Sequence, residues 1–181
     1  LCLWDIETEA PYYIHGSNRN VFDVTFNPIR SGKPMFAAGC VAAGSNVNRG
    51  TRSTVRLYDV RADKFTCPLE FECAALDIND LIWCPHDEDL IAVGCTDGRA
   101  YVWDARWPDD PLRILSHSRS LMPLQEGIKH EITDTGVRFL SWGENATRLY
   151  SGSSDGVVKV WDVTRAEENT FIKDLITCDS G

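Results

Sequence analysis

The sequence predicts an all-β fold, a β-propeller built from four-stranded sheets set radially about an axis, of which this chain holds about three and a half blades. Two observations carry that expectation. A hydrophobic residue, an aromatic ring and an aspartate recur in that order at Leu3-Trp4-Asp5, Leu57-Tyr58-Asp59, Val102-Trp103-Asp104 and Val160-Trp161-Asp162. Their spacing is that of a unit of roughly 40–45 residues, lengthened by insertions in two copies. Within each unit, short runs of alternating or fully apolar residues are separated by turn residues in the same order, which is how strands of a sheet read in sequence.

Residues 1–15 supply half a blade, ending a third strand at Trp4-Asp5 and adding an outer one. Three fuller units follow at 16–73, 74–116 and 117–181, the last opening with a long loop over 117–136. Each starts with an inner strand (Val21 to Phe26, Ile78 to Cys84, Val137 to Trp142) and a second strand (Met35 to Cys40, Leu90 to Cys95, Arg148 to Ser151). The third strand carries the aromatic-aspartate pair. An outer strand closes the unit (Leu69 to Cys73, Leu112 to Ser116, Phe171 to Ile176). Asp97-Gly98 and Asp155-Gly156 join second to third strands, because Asp-Gly supplies the positive φ a tight hairpin needs. Closed propellers have about 4–8 blades, so further blades or a partner are expected to close the ring, and the chain reads as part of something longer.

Composition narrows the function classes. A 181-residue chain with 43% hydrophobic and 25% charged residues has globular composition, and no apolar run is long enough for a membrane helix. The formal net charge of −9 opposes direct nucleic-acid or anionic-lipid binding. The seven cysteines form no short paired spacing, which suits a reduced, intracellular protein of nucleus or cytoplasm. Cys84-Pro85-His86 lacks a second close ligand pair, so Cys84 reads as a buried structural residue and no metal or cofactor is expected. No phosphate loop, nucleophile elbow or zinc-ligand spacing occurs, and the expectation is a protein that is not an enzyme.

The chain resembles the WD-repeat family of β-propellers, most closely where Leu149-Tyr150-Ser151-Gly152-Ser153-Ser154-Asp155-Gly156 runs into Val158-Lys159-Val160-Trp161-Asp162. The resemblance implies a buried network in which the third-strand tryptophan, a second-strand hydroxyl and a turn aspartate are hydrogen-bonded, usually with a histidine. Trp161, Asp155 and either Ser151 or Ser153 are its candidates in the last blade, and Trp103 and Asp97 are the corresponding residues in the middle one. The Gly-His pair normally placed before the inner strand is missing, since His117 and His130 fall within the long loop. The middle unit carries Val93 and Cys95 where hydroxyls are expected, so it should lean on apolar packing.

Two faces are candidates for partner binding. The loops Val41 to Ser53 and His117 to Gly136 emerge on the same face of the ring, and long loops on a rigid scaffold commonly bind. Arg49 and Arg52 would clamp a carboxylate or phosphate there, Leu121 and Met122 would touch a partner or cover the propeller, and Thr51, Ser53 and Thr54 are candidate phosphorylation sites. On the opposite face, Trp103-Asp104-Ala105-Arg106 and Tyr58-Asp59-Val60-Arg61 end their third strands. The stretch Ile91 to Arg106 resembles the box of WD-repeat substrate receptors of cullin-RING ubiquitin ligases, which implies that Arg106, and in part Arg61, contact the ligase adaptor. Alternatively Arg106 pairs with Asp109 or Asp110. The expected function is a non-catalytic protein-interaction scaffold, with a ubiquitin-ligase receptor or a chromatin-associated, peptide-binding propeller as the specific alternatives.

Overall fold

The computed structural model describes residues 2–14, 20–29, 35–40, 52–60, 69–75, 77–117, 136–166 and 169–176. These hold fourteen strands: β1 (Cys2–Asp5), β2 (Ala10–Ile14), β3 (Val21–Phe26), β4 (Met35–Cys40), β5 (Ser53–Asp59), β6 (Leu69–Cys73), β7 (Ile78–Trp83), β8 (Leu90–Cys95), β9 (Arg99–Asp104), β10 (Arg113–Ser116), β11 (Val137–Trp142), β12 (Arg148–Ser153), β13 (Val157–Asp162) and β14 (Phe171–Ile176). β1 and β2 form a two-stranded sheet, and the rest form three four-stranded antiparallel meanders, β3 to β6, β7 to β10 and β11 to β14. The fold is an open, partial propeller. Its inner strands β3, β7 and β11 lie side by side along the axis. β10 begins at Arg113 instead of Leu112, and β12 runs on to Ser153.

The middle sheet shows why the sequence reads as it does. Every residue of β8 is buried, because both faces of this sheet are covered. Ile91, Val93, Tyr101 and Trp103 pack toward the first four-stranded sheet with Phe71, Ile78 and Leu81. Ala92, Ala100 and Val102 pack toward the last sheet with Val137, Leu149 and Trp161. A strand sealed on both faces must be apolar throughout, and burial of each large aliphatic side chain contributes about 1.5–3 kcal/mol. The Asp-Gly turns form as expected: Gly98 and Gly156 adopt φ of 80° and 82°, open to glycine at no steric penalty.

Successive sheets are joined at the axis by a repeated device. The register of each inner strand slips once, between Val21 and Asp23, Ile78 and Asp80, and Val137 and Phe139, and such bulges redirect side chains and backbone groups. Asp23 Oδ2 accepts a hydrogen bond from the Leu81 amide of the next sheet at 2.9 Å. Asp80 Oδ2 accepts one from the Leu140 amide in the same way. Opposite the bulges, Gly39 and Gly94 let Ile78 and Val137 of the following sheet approach; a Cβ on Gly94 would lie 2.9 Å from Val137 Cγ1.

Candidate protein-interaction face

The aspartate of each repeat has a local task that its spacing alone does not reveal. Asp5 Oδ1 accepts the Glu7 amide at 2.9 Å, Asp104 Oδ1 the Arg106 amide at 2.9 Å and Asp162 Oδ1 the Thr164 amide at 3.1 Å. In these three copies the carboxylate closes the turn after the third strand by capturing the amide two residues on. The Thr164 hydroxyl, the largest influence, holds the Asp162 carboxyl below its usual range.

In the middle blade the residue two places on is an arginine, and its side chain folds back onto the same carboxylate. Arg106 Nε and Nη2 donate to Asp104 Oδ1 and Oδ2 at 2.9 and 2.6 Å. Asp89 Oδ2 lies 3.6 Å from Nε. This is the bidentate geometry for which a guanidinium is pre-shaped, and the Asp104 hydrogen bonds raise the Arg106 pKa further. The Arg106 side chain is nonetheless 59% exposed. The sequence suggested Asp109 or Asp110 as its ion-pair partners; the turn instead brings Asp104 and Asp89 to it, because Ala105 N donates to Asp89 O at 2.8 Å. In the last blade Arg165 pairs with Asp162 at 3.1 Å. Asp59 ends β5, while Arg61 lies outside the described residues.

At the same end of the molecule, where the inner strands finish, an open concavity of about 370 Å³ is lined by Phe26, Pro28, Trp83, Pro85 and Trp142 among others. The Trp142 indole nitrogen is buried without a hydrogen-bond partner. Among the described residues no three His, Cys, Asp or Glu side chains converge as metal ligands do.

Arg49, Leu121 and Met122, expected on the opposite face, lie outside the described residues. Arg52 is exposed and pairs with the equally exposed Glu72 at 3.6 Å, an arrangement that contributes little. The phosphorylation expectation is corrected at two positions. Ser53 and Thr54 are 0% and 1% exposed, and Ser53 Oγ donates to Ala75 O at 2.8 Å, so neither hydroxyl is presented to an enzyme. Thr51 lies outside the described residues.

The structure chooses between the two hydroxyls offered for the buried network of the last blade and adds a histidine to it. Trp161 Nε1 donates to Ser151 Oγ at 2.7 Å, while Ser153 Oγ accepts the Asp155 amide at 3.3 Å. Ser151 is therefore the network hydroxyl. The histidine that the long loop was expected to absorb is present: His117 N donates to Gly98 O, extending the β10 edge, and His117 Nε2 meets Ser151 Oγ at 2.6 Å. Asp155 Oδ1 accepts the Val157 amide at 3.0 Å, closing its own turn. Burial, assisted by the charge of Lys159, lowers the His117 pKa to about 4. In the middle blade, Asp97 accepts the Arg99 amide at 3.1 Å and the Tyr101 hydroxyl at 3.3 Å. Trp103 stacks between Phe71 and Tyr101, with ring centroids 5.4 and 5.3 Å away.

Comparison with known proteins agrees with this architecture. The family model "WD domain, G-beta repeat" matches residues 65–104 and 123–162. Rik1-associated factor 1 of Schizosaccharomyces pombe is 30% identical over 142 residues, covering 78% of this chain and 21% of that protein. WD repeat-containing protein RUP1 of Arabidopsis thaliana is 35% identical over 166 residues, covering 88% of this chain and 35% of that protein. Histone acetyltransferase type B subunit 2 of Aspergillus fumigatus is 34% identical over 90 residues, covering 49% of this chain and 19% of that protein. The chain thus spans between a fifth and about a third of these relatives. Among solved structures, that of the Dos1 propeller superposes with a TM-score of 0.70 at 25% identity, covering 96% of this chain and 38% of that one. With its repeated sheets, turn-closing aspartates and Trp161–Ser151–His117 network, the chain belongs to the WD-repeat family of β-propellers.

Proposed function

We propose that this chain is a non-catalytic protein-assembly propeller of the cell interior whose Asp104–Arg106 turn docks the adaptor of a cullin-RING ubiquitin ligase. The observation that carries the reading is the exposed Arg106 held bidentately by the buried Asp104. Two strong hydrogen bonds fix the guanidinium before any partner arrives, so little side-chain freedom is lost on docking. Its Nη1 edge makes no hydrogen bond among the described residues and is available to a partner's carbonyl or carboxylate. The similarity to Rik1-associated factor 1, an associated factor by name, supports a role in assembly.

The test uses purified chain and the purified adaptor subunit of a cullin-RING ligase. Arg106→Ala is expected to weaken binding at least tenfold, as removal of a central arginine does, in a chain that circular dichroism shows still folded. Wild-type affinity in that variant overturns the reading. A second reading, a chromatin-associated propeller that takes a basic peptide, is favoured by the similarity to histone acetyltransferase type B subunit 2 and by the net charge of −9. It predicts binding to basic histone-tail peptides that fades steeply with salt.

A further inference from the structure

The exposed aromatic side chains fall into two groups. Trp4, Phe22, Phe26, Phe139 and Phe171 stand on the two-stranded sheet, the inner strands or the last outer strand, surfaces that face the axis or an open side of the partial ring. Trp107 does not. It is 74% exposed on the turn between β9 and β10, in a sheet flanked on both sides by complete four-stranded sheets. Blades added at either end of the chain leave it bare.

The backbone that carries this indole is held in place. Trp107 N donates to Asp104 O at 2.9 Å and Ala105 N to Asp89 O at 2.8 Å, and the Arg106 amide is fixed on Asp104. At the far end of the same loop, Arg113 Nε donates to Arg165 O of the last blade at 2.7 Å. A tryptophan carries about 150–250 Å² of surface, and presenting it to water brings the folded chain no packing gain. Tryptophan and arginine are enriched among the side chains that dominate binding energy in protein interfaces.

The surrounding charge specifies the pocket that would receive it. Arg106 is neutralised by Asp104 at 2.6 Å and Asp89 at 3.6 Å, while Asp109 and Asp110 on the same loop are exposed. The rim of the indole is therefore acidic. We propose that Trp107 is the anchor by which the adaptor bound at Arg106 is held, inserting into an apolar pocket bordered by lysine or arginine side chains. This deepens the docking reading above and rests on it.

The test uses the whole chain labelled with 5-fluorotryptophan, the Trp107 fluorine resonance being assigned by its loss in Trp107→Phe. On addition of purified adaptor, that resonance is expected to shift, and Trp107→Ala to weaken binding about thirtyfold. Asp109→Lys combined with Asp110→Lys is expected to weaken it further and to flatten its salt dependence. Adaptor binding that leaves the Trp107 resonance unmoved overturns the proposal even where a variant folds poorly. A loss confined to Arg106→Ala, with Trp107→Ala at wild-type affinity, overturns the anchor alone. No binding by the wild-type chain overturns both readings.

Discussion

Acidification should weaken this fold through one residue, His117. Its imidazole is 4% exposed and sits against Ser151 and the Trp161 ring, 6.0 Å between centroids. Burial, and then the charge of Lys159, bring its pKa from 6.5 to about 4, with Asp155 and Asp174 opposing. Because the folded state holds the proton less tightly than the unfolded chain, stability from this group is fully present above pH 6.5 and is lost as pH falls toward 4. At 1.36 kcal/mol for each pH unit between the two values, the loss is about 2 kcal/mol by pH 5 and about 3 kcal/mol below pH 4. His117→Gln retains a hydrogen-bonding amide that does not titrate. Urea unfolding of both proteins at pH 7.5 and pH 5 measures the difference. The wild type should lose about 2 kcal/mol more than the variant, and parallel losses would refute the placement of a neutral, buried imidazole at this junction.

Three further outcomes follow from the geometry. Burial, then the charge of Asp23, raises the Asp80 carboxyl against the pull of the Leu140 amide, so its contribution is fullest below 3.8 and declines as pH rises through the raised value. Asp80→Asn keeps an oxygen for Leu140 N, and its stability relative to wild type should improve from pH 3.5 to pH 7; a flat difference contradicts this. Gly94→Ala places a methyl 2.9 Å from Val137 Cγ1 and should cost about 1–3 kcal/mol by chemical denaturation, an unchanged midpoint counting against the close sheet approach. Maleimide should label exposed Cys2 in the native chain but reach buried Cys73, Cys84 and Cys95 only after unfolding. Burial raises the Cys84 thiol pKa, and native labelling at any of these three sites would contradict the packing.

The strands were legible because each is a short periodic run bounded by residues with a strong turn preference, and Asp-Gly dictates its own backbone. The site was less so. Arg106 stood two places after an aspartate and three before another, and sequence distance could not tell that the turn folds it back onto Asp104 and brings Asp89 beneath it. His117 was misplaced for a related reason. The family pattern puts the histidine immediately before an inner strand, whereas here the residues after it separate it from β11, and it functions as the last residue along β10. Its position directly after an outer strand was the available signal. Trp107 has no periodic signature, because an exposed anchor is defined by what surrounds it.

The two junctions between complete sheets are closed by different chemistry. Between the middle and last sheets, His117 at the end of an outer strand reaches Ser151, which also accepts the Trp161 indole. Between the first and middle sheets the corresponding outer strand ends in Cys73, paired in register with Ser53, and Cys73 and Cys95 are both buried in the apolar core there. Val93 stands where Ser151 would be, and Trp103 is held by stacking on Phe71 instead of by a hydroxyl. An imidazole placed against Val93 would lose its partner, and a thiol placed against Ser151 would leave the indole network incomplete. A buried polar group left unsatisfied costs about 1–3 kcal/mol, so an imidazole facing Val93 is disfavoured. The departures from the family pattern therefore give the two junctions different chemistry, a polar network at one and aromatic stacking at the other.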